Sequence, residues 1–348
     1  MKKNKNKLFI IICLVIILVL GVVAFLLSNN KKDNNKKNDK PSVTVKNNTP
    51  VKKLKIVDEN STSRPYAVMI NNINVARPLQ SGLQDAYIMY EIIVEGGITR
   101  YMALFMDQTT QRIGSIRSAR HYFIDYALEN DAIYVHHGQS PQAQRDFSAL
   151  GVDRTVVDNS KTGWRDNSLN VSSEHTLFTS IEKLNNGLGN KRTTRNGNLL
   201  LNYSIDEIDL STMDGSTKAD NVSIKYSSGM TSSYKYDEAN KYYLRSVNGK
   251  AHVDYVTKEQ YHFKNIITYQ VKNYTLNDGE NKGRQDIENV GSGNGYFITG
   301  GYSVPIKWSK SSRKAQTKYY FANGEELKVN DGNTFIQIQP LGETLTIN

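Results

Sequence analysis

Two carboxylates lie four residues apart in the segment EIIVE, at Glu91 and Glu95. If that segment is a strand, its side chains alternate and both carboxylates point to one face. Paired carboxylates suit general acid–base catalysis or cation binding. Glu95 is the better candidate, because Gly96 and Gly97 follow it in a predicted turn that a ligand can approach. The alternative is a pair of solvated or salt-bridged acids.

Four arginines lie in predicted loops or at the ends of predicted elements, which makes an anion-binding pocket the second candidate. Arg117 and Arg120 lie at a predicted helix start, where free N–H groups and the helix dipole favour anions. Arg77 and Arg100 lie in loops or at strand ends. Guanidinium groups match phosphate and carboxylate oxygens in pairs. The alternative is structural pairing with nearby acids, namely Glu91, Glu95, Asp125 or Asp131.

The segment HHGQS leads from a predicted strand into a predicted helix. In open α/β sheets, ligands bind beyond the carboxyl ends of strands. Adjacent histidines on a strand face opposite sides, so we expect only one of His136 and His137 to reach a site. Ser140 is either a nucleophile or, as its position before Pro141 favours, a helix cap. His175, in SSEHTL, is either a site residue or a surface histidine.

Known catalytic motifs are missing: the sequence has no P-loop, dinucleotide fingerprint, H-E-x-x-H, EF-hand loop or G-x-S-x-G elbow. Its one cysteine, Cys13, lies in an apolar run, which excludes disulfides and cysteine nucleophiles elsewhere. The six histidines show no clear ligand spacing, so the sequence predicts no metal and no other cofactor. The predicted catalytic residues are therefore Glu91, Glu95 and His137, and the predicted ligand-binding residues are Arg77, Arg100, Arg117, Arg120, Ser140 and His175.

Strands and helices alternate in the first part of the body. Four apolar, β-branched and aromatic runs predict strands: YAVMIN, AYIMYEIIVEGG, ITRYMALFMD and AIYVHHG. An amphipathic helix is expected from about Ser118. A second helix is expected from Pro141, with Ser140 as cap and Gly151 as stop. The alternation predicts an α/β domain over residues 63–205.

Residues 206–348 have a different pattern. Short strand-like segments rich in Tyr, Thr and Ser alternate with Asn-Gly and Asp-Gly turns, which predicts a mostly antiparallel β domain. The glycine-rich stretch 291–295 is expected to form a tight turn rather than a phosphate cradle. Aromatic residues of this part line either a saccharide groove or, more commonly, a core: Trp308, Tyr242, Tyr243, Tyr296, Tyr319 and Tyr320.

The apolar stretch from Leu8 to Leu27 carries no charge, and as a helix it is long enough to cross a bilayer core of roughly 30 Å. It predicts an uncleaved single-pass membrane anchor, with a cleaved signal peptide as the alternative. Lysines lie on both sides of the stretch, so flanking charge does not set its orientation. Its place near the N-terminus favours residues 1–7 in the cytoplasm and an extracytoplasmic body.

Residues 28–62 are rich in Lys and Asn and have few large apolar side chains, which predicts a disordered tether. Residues 1–56 contain 13 lysines and two acids and so carry a charge of +11, whereas the whole chain carries +10. The body therefore carries about −1. The basic isoelectric point of 9.3 comes from the anchor and tether and does not indicate nucleic-acid binding.

Motifs along the body resemble, in order, the YerB-like family of bacterial envelope proteins, a two-part family of unknown function. They are RPYAVMINN, ARPLQSGL, YEIIVEGGITR, IGSIRSAR, YVHHGQSPQA, NGKAHVD, FKNIITYQV, VGSGNGYFITGGYSVPIKW and GNTFIQIQP. The resemblance covers almost all of residues 64–342. It implies a body on the outer face of the cytoplasmic membrane of a Gram-positive bacterium, where members are typically lipoproteins. This sequence departs from the family in lacking a lipobox before Cys13, and in SSEHTL, where the family tends to have Pro-His-Asn.

Three functions are consistent with these patterns. The first is an envelope protein that binds an anionic or glycan envelope component in an Arg/Glu/His-lined pocket of the N-terminal domain. The second is an enzyme that cleaves peptidoglycan or a wall polymer, with Glu95 or Glu91 as acid/base and His137 or His175 assisting. The third is a structural partner of a membrane protein complex, with the β domain as the contact surface.

Overall fold

The computed structural model describes residues 53–348. The predicted N-terminus, the anchor over residues 8–27 and most of the predicted tether lie outside these residues. In residues 53–348, no helix is both long and apolar enough to cross a membrane. This part of the chain is mostly β, with few helices.

The elements are numbered in chain order. The α-helices are α1 (His121–Glu129), α2 (Pro141–Ala149) and α3 (Ile181–Asn186). The strands of the first half are β1 (Tyr66–Asn71), β2 (Ile88–Ile93), β3 (Thr99–Phe105), β4 (Ile113–Gly114), β5 (Ile133–His136), β6 (Arg154–Val156), β7 (Trp164–Arg165), β8 (Leu177–Thr179) and β9 (Asn202–Ser204). Short 3₁₀ turns cover Arg77–Leu79, Leu83–Asp85, Glu95–Gly97, Ser173–His175 and Leu210–Thr212.

The second half of the chain contributes fifteen further strands within the described residues. They are β10 (Thr217–Lys218), β11 (Asn221–Ser227), β12 (Met230–Asp237), β13 (Tyr242–Val247), β14 (Lys250–Ala251), β15 (His262–Phe263), β16 (Asn265–Val271), β17 (Asn273–Thr275), β18 (Gln285–Ile287), β19 (Gly291–Thr299), β20 (Tyr302–Lys310), β21 (Lys318–Phe321), β22 (Lys328–Asn330), β23 (Thr334–Pro340) and β24 (Leu345–Ile347).

One eleven-stranded sheet runs through both halves of the chain. Its order is β10-β20-β19-β16-β23-β2-β3-β1-β5-β6, with β21 paired to β20. The halves meet where β23 pairs in parallel with β2, from Ile88 beside Thr334 to Ile92 beside Ile338. The strands predicted for a separate α/β domain therefore share a sheet with strands of the predicted β domain. The boundary between residues 205 and 206 remains a prediction.

The large sheet is covered on both faces. Side chains alternate along its strands, so Tyr90 and Ile92 pack on one face while Met89 and Ile93 pack on the other. Helices α1 and α2 cover the first face. A six-stranded sheet, ordered β14-β13-β12-β11-β24 with β15 paired to β13, contributes to the second core. Burying each large apolar side chain contributes about 1.5–3 kcal/mol, so both cores stabilise the sheet substantially.

The predicted helix α2 and its cap are confirmed, whereas the predictions for α1 and for residues 291–295 are corrected. Helix α2 begins at Pro141, and the Ser140 hydroxyl accepts a hydrogen bond from the Ala143 amide at 3.2 Å, as a cap does. Helix α1 begins at His121 rather than near Ser118, because the residues before it are extended. The turn predicted at residues 291–295 is wrong, since the segment begins strand β19 and pairs with β20.

The folded body also begins before residue 63, the predicted start of the α/β domain. The Val57 side chain is buried in the core on the helix-covered face. The backbone amides of Lys55 and Ile56 donate hydrogen bonds of 3.0 Å to the carboxylate of Asp331. These contacts attach the end of the predicted tether to the second half of the chain.

Candidate anion-binding site

The carboxyl ends of three strands lie at one edge of the large sheet. Strands β1 and β5 are parallel, and β1 and β2 are both antiparallel to β3, so β1, β2 and β5 point the same way. Asn71 ends β1, Glu95 follows β2, and His137 follows β5. Arg100 lies near the start of antiparallel β3 and so reaches the same edge. The sheet topology therefore brings together residues that are far apart in sequence.

The loop that carries Arg117 is held along the end of β5. The amide of His137 donates to the carbonyl of Arg117 at 3.1 Å, and the amide of Ala119 donates to the carbonyl of Gly138 at 3.0 Å. Gly138 has a φ of +73°, and a Cβ atom there would lie 2.9 Å from the Ser118 hydroxyl. Only glycine fits this close approach without strain.

Arg100 and Arg120 converge on one carboxylate, that of Glu95. Arg120 Nε donates to Glu95 Oε1 at 2.5 Å, and Arg100 Nη2 lies 3.9 Å from Glu95 Oε2. Arg100 is buried, and its Nη1 also donates to the carbonyl of Ser118 at 2.6 Å. Glu95 thus holds both guanidinium groups at the sheet edge.

Arg117 extends the cluster towards the 3₁₀ turn that contains His175. Its Nη2 donates to Glu174 Oε2 at 2.7 Å, and the Glu174 side chain is 54% exposed. Glu174 Oε1 lies 3.6 Å from His175 Nε2. Asn71 donates its side-chain amide to His175 Nδ1 at 3.0 Å, which leaves the hydrogen of neutral His175 on Nε2. Burial lowers the pKa of His175, which favours this neutral form.

The cluster carries an excess of positive charge. Burial and the nearby Arg120 guanidinium lower the pKa of Arg100 to about 9, so the group remains charged at neutral pH. Burial raises the pKa of Glu95, but the hydrogen bond and charge of Arg120 outweigh burial and hold that pKa below its usual value. Arg100, Arg117 and Arg120 face only Glu95 and Glu174 as ion-pair partners in residues 53–348. Such an arrangement attracts anions.

His137 and Ser140 lie beside this cluster but make other contacts. His137 Nδ1 donates to the carbonyl of Val157 at 2.7 Å, and Arg165 Nη2 donates to His137 Nε2 at 3.4 Å. The Ser140 hydroxyl caps helix α2. Both residues therefore help to position the sheet edge, and a catalytic role for His137 stays a prediction.

Glu91 does not join Glu95. Strand β2 ends at Ile93, so the alternation that would place both acids on one face does not extend to Glu95. Glu91 lies beside Tyr101 on the face that packs against the second sheet, and it is fully buried in an ion pair with Arg245. Arg100, by contrast, lies on the helix-covered face with Met102, as strand alternation requires. Catalytic roles for the two acids stay predictions.

Arg77 also lies apart from the cluster. Its guanidinium donates to the side chains of Asn72 at 2.9 Å and Asn74 at 3.0 Å. It lines a separate cavity of about 430 Å³, together with Lys250 and Lys258. In the described part of the chain, no group of three or more His, Cys, Asp or Glu side chains is arranged to hold a metal ion.

Sequence reasoning missed three of the residues that define these sites. Asn71 is the polar end of a strand, so the rule that selected His137 would also have selected Asn71. Glu174 directly precedes a candidate residue in a polar loop. Arg245 lies in the alternating segment KYYLRSV, in phase with the buried Tyr243 and Val247, which is a signal for a buried arginine.

We expect His136, at the end of β5, to make stability depend on pH. Its ring stacks on Phe147, and burial lowers its pKa from 6.5 to about 4. The unfolded chain takes up a proton on the His136 ring below about pH 6.5, whereas the folded protein takes it up only near pH 4. The contribution of neutral His136 to the free energy of unfolding is therefore complete above pH 6.5 and is lost as the pH falls towards 4. The free energy of unfolding should fall by about 3 kcal/mol more between pH 7 and pH 4 in the unmodified chain than in His136→Gln. Urea titrations at several pH values in this range measure the free energy of unfolding of both chains. If that free energy depends on pH equally in both, His136 does not have the role predicted for it.

The fold and the site define a two-part, mostly β protein with a cluster of three arginines at one edge of its large sheet. Residues 53–195 match the family described as "Protein of unknown function (DUF3048) N-terminal domain", and residues 222–336 match its C-terminal domain. The chain therefore belongs to the two-domain DUF3048 family.

Two comparisons point to the same relative. The protein named "Putative lipoprotein YerB" from Bacillus subtilis (strain 168) is 29% identical over 307 residues, which cover 86% of this chain and 88% of that protein. The crystal structure of YerB protein from Bacillus subtilis matches with a TM-score of 0.70 and 28% identity. The match covers 82% of this chain and 94% of that one. The family resemblance inferred from the motifs is thereby confirmed, and the two-part layout matches that structure.

Proposed function

We propose that this chain is an extracytoplasmic envelope protein whose first half binds an anionic group of an envelope polymer. The observation that carries the proposal is the cluster of Arg100, Arg117 and Arg120 at one sheet edge, opposed by only two carboxylates within the described residues. The name of the Bacillus subtilis relative, which describes a lipoprotein, supports the envelope location.

The proposed anchor is the apolar stretch 8–27 as a single membrane helix, with the N-terminus inside and the body outside. Lipid attachment, the anchor that the relative's name describes, suits this sequence less well. Ile10 to Ile12 precede Cys13, whereas a lipid-modified cysteine follows small residues. Digestion of the body by protease added to intact cells would support this orientation, and full protection would contradict it.

The cluster binds an anion by exchanging one carboxylate for another acceptor. Glu174 is more than half exposed, so its ion pair with Arg117 is weak and a phosphate or carboxylate displaces it at low cost. Glu95 is partly buried and keeps Arg100 and Arg120 in place. Helix α1 begins directly after Arg120 without a side-chain cap, so its first amides add donors and a favourable dipole.

We expect Arg117→Gln/Arg120→Gln to weaken binding to anionic wall polymer at least tenfold, because both lost groups are charged donors. The full chain, kept in a zwitterionic detergent, is sedimented with purified cell walls before and after their phosphate-containing polymers are removed. Binding should need those polymers and should weaken as salt rises.

The matched control is Arg192→Gln/Arg284→Gln. Arg192 forms a partly exposed ion pair with Asp131, and Arg284, whose side chain is 9% exposed, pairs with Asp278. Both arginines lie outside the cluster. The control should bind as the unmodified chain does. Equal binding by the Arg117→Gln/Arg120→Gln variant, or binding unchanged after polymer removal, would contradict the proposal.

A further inference from the structure

We propose that a groove on the second half of the chain binds a neutral saccharide chain. The groove lies on strands β16, β19 and β20 and has a volume of about 920 Å³. That volume is near the upper end of the roughly 300–1,000 Å³ found for small-molecule sites. The groove shares no lining residue with the arginine cluster, so this proposal goes beyond the function proposed above.

The floor of the groove is a row of side chains across three strands. Thr268 of β16 lies opposite Tyr296 of β19, which in turn lies opposite Pro305 of β20. Asn294 and Ser292 follow along β19 at intervals of two and so share the face of Tyr296. Tyr296 is 39% exposed, so part of its ring is open to a ligand.

One wall is a turn that the sheet itself holds in place. Leu341 and Leu345 line the groove from this side. The Gln270 side chain donates to the carbonyl of Glu343 at 2.7 Å and accepts from the amide of Gly342 at 3.2 Å. Because the turn is fixed by these bonds, the groove is formed before a ligand arrives, which lowers the entropic cost of binding.

The charge of the lining favours a neutral occupant. Lys272 and Glu288 are the charged side chains among the groove residues, and they pair with each other at 2.8 Å. The pair cancels their charge, so neither an anion nor a cation gains from this groove. The remaining lining mixes apolar and uncharged polar groups.

A saccharide can contact both the apolar and the uncharged polar groups of this lining. The C–H face of a pyranose ring packs against an aromatic ring such as Tyr296, while sugar hydroxyls and N-acetyl groups need amide and hydroxyl partners. The side chains of Asn294 and Ser292 are exposed and make no hydrogen bond within residues 53–348, so both are available to a ligand.

Two buried polar atoms of the lining also have no partner in the described structure. They are the hydroxyl of Thr268, a residue that is 1% exposed, and the indole N–H of Trp308. A buried polar group without a hydrogen bond costs about 1–3 kcal/mol, and native proteins keep few of them. Thr268 belongs to the floor row, where a ligand hydroxyl would supply the missing bond.

Other occupants fit the groove less well. An extended peptide binds a sheet through a free strand edge, and in this groove only residues 291–294 of β19, which pair with β20 but not with β16, offer such an edge. A lipid tail would leave Asn294 and Ser292 without partners. Absence of saccharide binding in the experiment below would favour one of these occupants instead.

The test measures binding of the uncharged β-1,4-linked tetramer of N-acetylglucosamine to the full chain in a zwitterionic detergent, by calorimetry. We expect Tyr296→Ala to weaken binding at least tenfold and Asn294→Ala to weaken it several-fold. The matched control is Tyr274→Ala, a tyrosine on β17 that is 44% exposed and lies outside the groove. The control should bind as the unmodified chain does.

Three outcomes would overturn the proposal: no binding at millimolar tetramer, binding that Tyr296→Ala leaves unchanged, and equal weakening by Tyr274→Ala. Thermal unfolding of each variant shows that it is folded. Arg117→Gln/Arg120→Gln should keep full affinity for the tetramer, so failure of one proposal leaves the other standing.

Discussion

Replacing Arg245 by Met is expected to lower the free energy of unfolding by about 3–5 kcal/mol, because it leaves the buried Glu91 carboxylate without its counter-ion. Arg245 and Glu91 are both 0% exposed, and Arg245 Nη2 donates to Glu91 Oε2 at 2.8 Å. The hydroxyls of Thr99 and Ser232 also donate to this carboxylate, at 2.7 and 2.8 Å. They remain in the variant but do not replace the lost charge.

The other terminal nitrogen of the Arg245 guanidinium, Nη1, adds to the expected loss of stability. Arg245 Nη1 donates to His252 Nδ1 at 2.7 Å, and His252 Nε2 donates to the side-chain carbonyl of Gln80. Burial, together with the charge of Arg245, lowers the pKa of His252 well below its usual value, so the ring is neutral and can accept this bond. Arg245→Met therefore removes a hydrogen-bond donor from both the Glu91 carboxylate and the His252 ring.

Urea unfolding measures this loss. The matched control is Lys225→Met in the same six-stranded sheet, because Lys225 forms a partly exposed ion pair with Glu343. The control should change stability by less than about 1 kcal/mol. The double variant Glu91→Gln/Arg245→Met should be more stable than Arg245→Met, since it no longer buries a lone charge. A single variant that costs no more than the control would contradict the argument.

Replacing Lys310 by Met is expected to cost a similar amount, about 3–5 kcal/mol, on the opposite face of the large sheet. Lys310 Nζ lies 2.7 Å from Glu129 Oε2, and both side chains are buried. The Thr317 hydroxyl donates to the same oxygen at 2.6 Å, and the Tyr90 hydroxyl donates to Oε1 at 2.8 Å. These neutral donors reduce the loss but leave the carboxylate uncompensated.

The control for this prediction lies on the neighbouring strand. Lys318 of β21 forms an exposed ion pair with Glu326, so Lys318→Met should change stability by less than about 1 kcal/mol. Glu129→Gln/Lys310→Met should recover part of the loss. If Lys310→Met and Lys318→Met unfold at the same urea concentration with the same slope, the buried pair does not have the role assigned to it.

The two buried pairs connect parts of the chain that are far apart in sequence. Glu91 of β2 meets Arg245 of β13, and Glu129 of α1 meets Lys310 of β20. A buried ion pair tolerates few other partners, because a mispaired charge is costly to bury. Together with the parallel pairing of β2 and β23, these contacts join the two halves of the body in one compact unit.

Local sequence was sufficient for the elements whose formation depends on neighbouring residues. The apolar run YAVMIN is strand β1, and the order of Ser140 and Pro141 begins helix α2. Alternation in strands and capping of helices act over a few residues, so their patterns are visible in the sequence alone. The glycines at 291–295 were misread for the opposite reason: Gly293 faces Trp308, a contact that strand pairing creates.

Only the tertiary structure decided which charged groups meet. The sequence placed Arg100, Arg117, Arg120 and Glu95 at the ends of elements, and strand direction then brought them to one edge. It offered Glu91 as a partner of Glu95, yet β2 ends at Ile93, so the alternation that would put both acids on one face does not extend to Glu95. Glu91 instead meets Arg245, 154 residues away, because sheet order and register determine contacts over such distances. Residue type and local spacing thus named the candidate groups, and the packing of the two halves determined which of them form a site and which form the core.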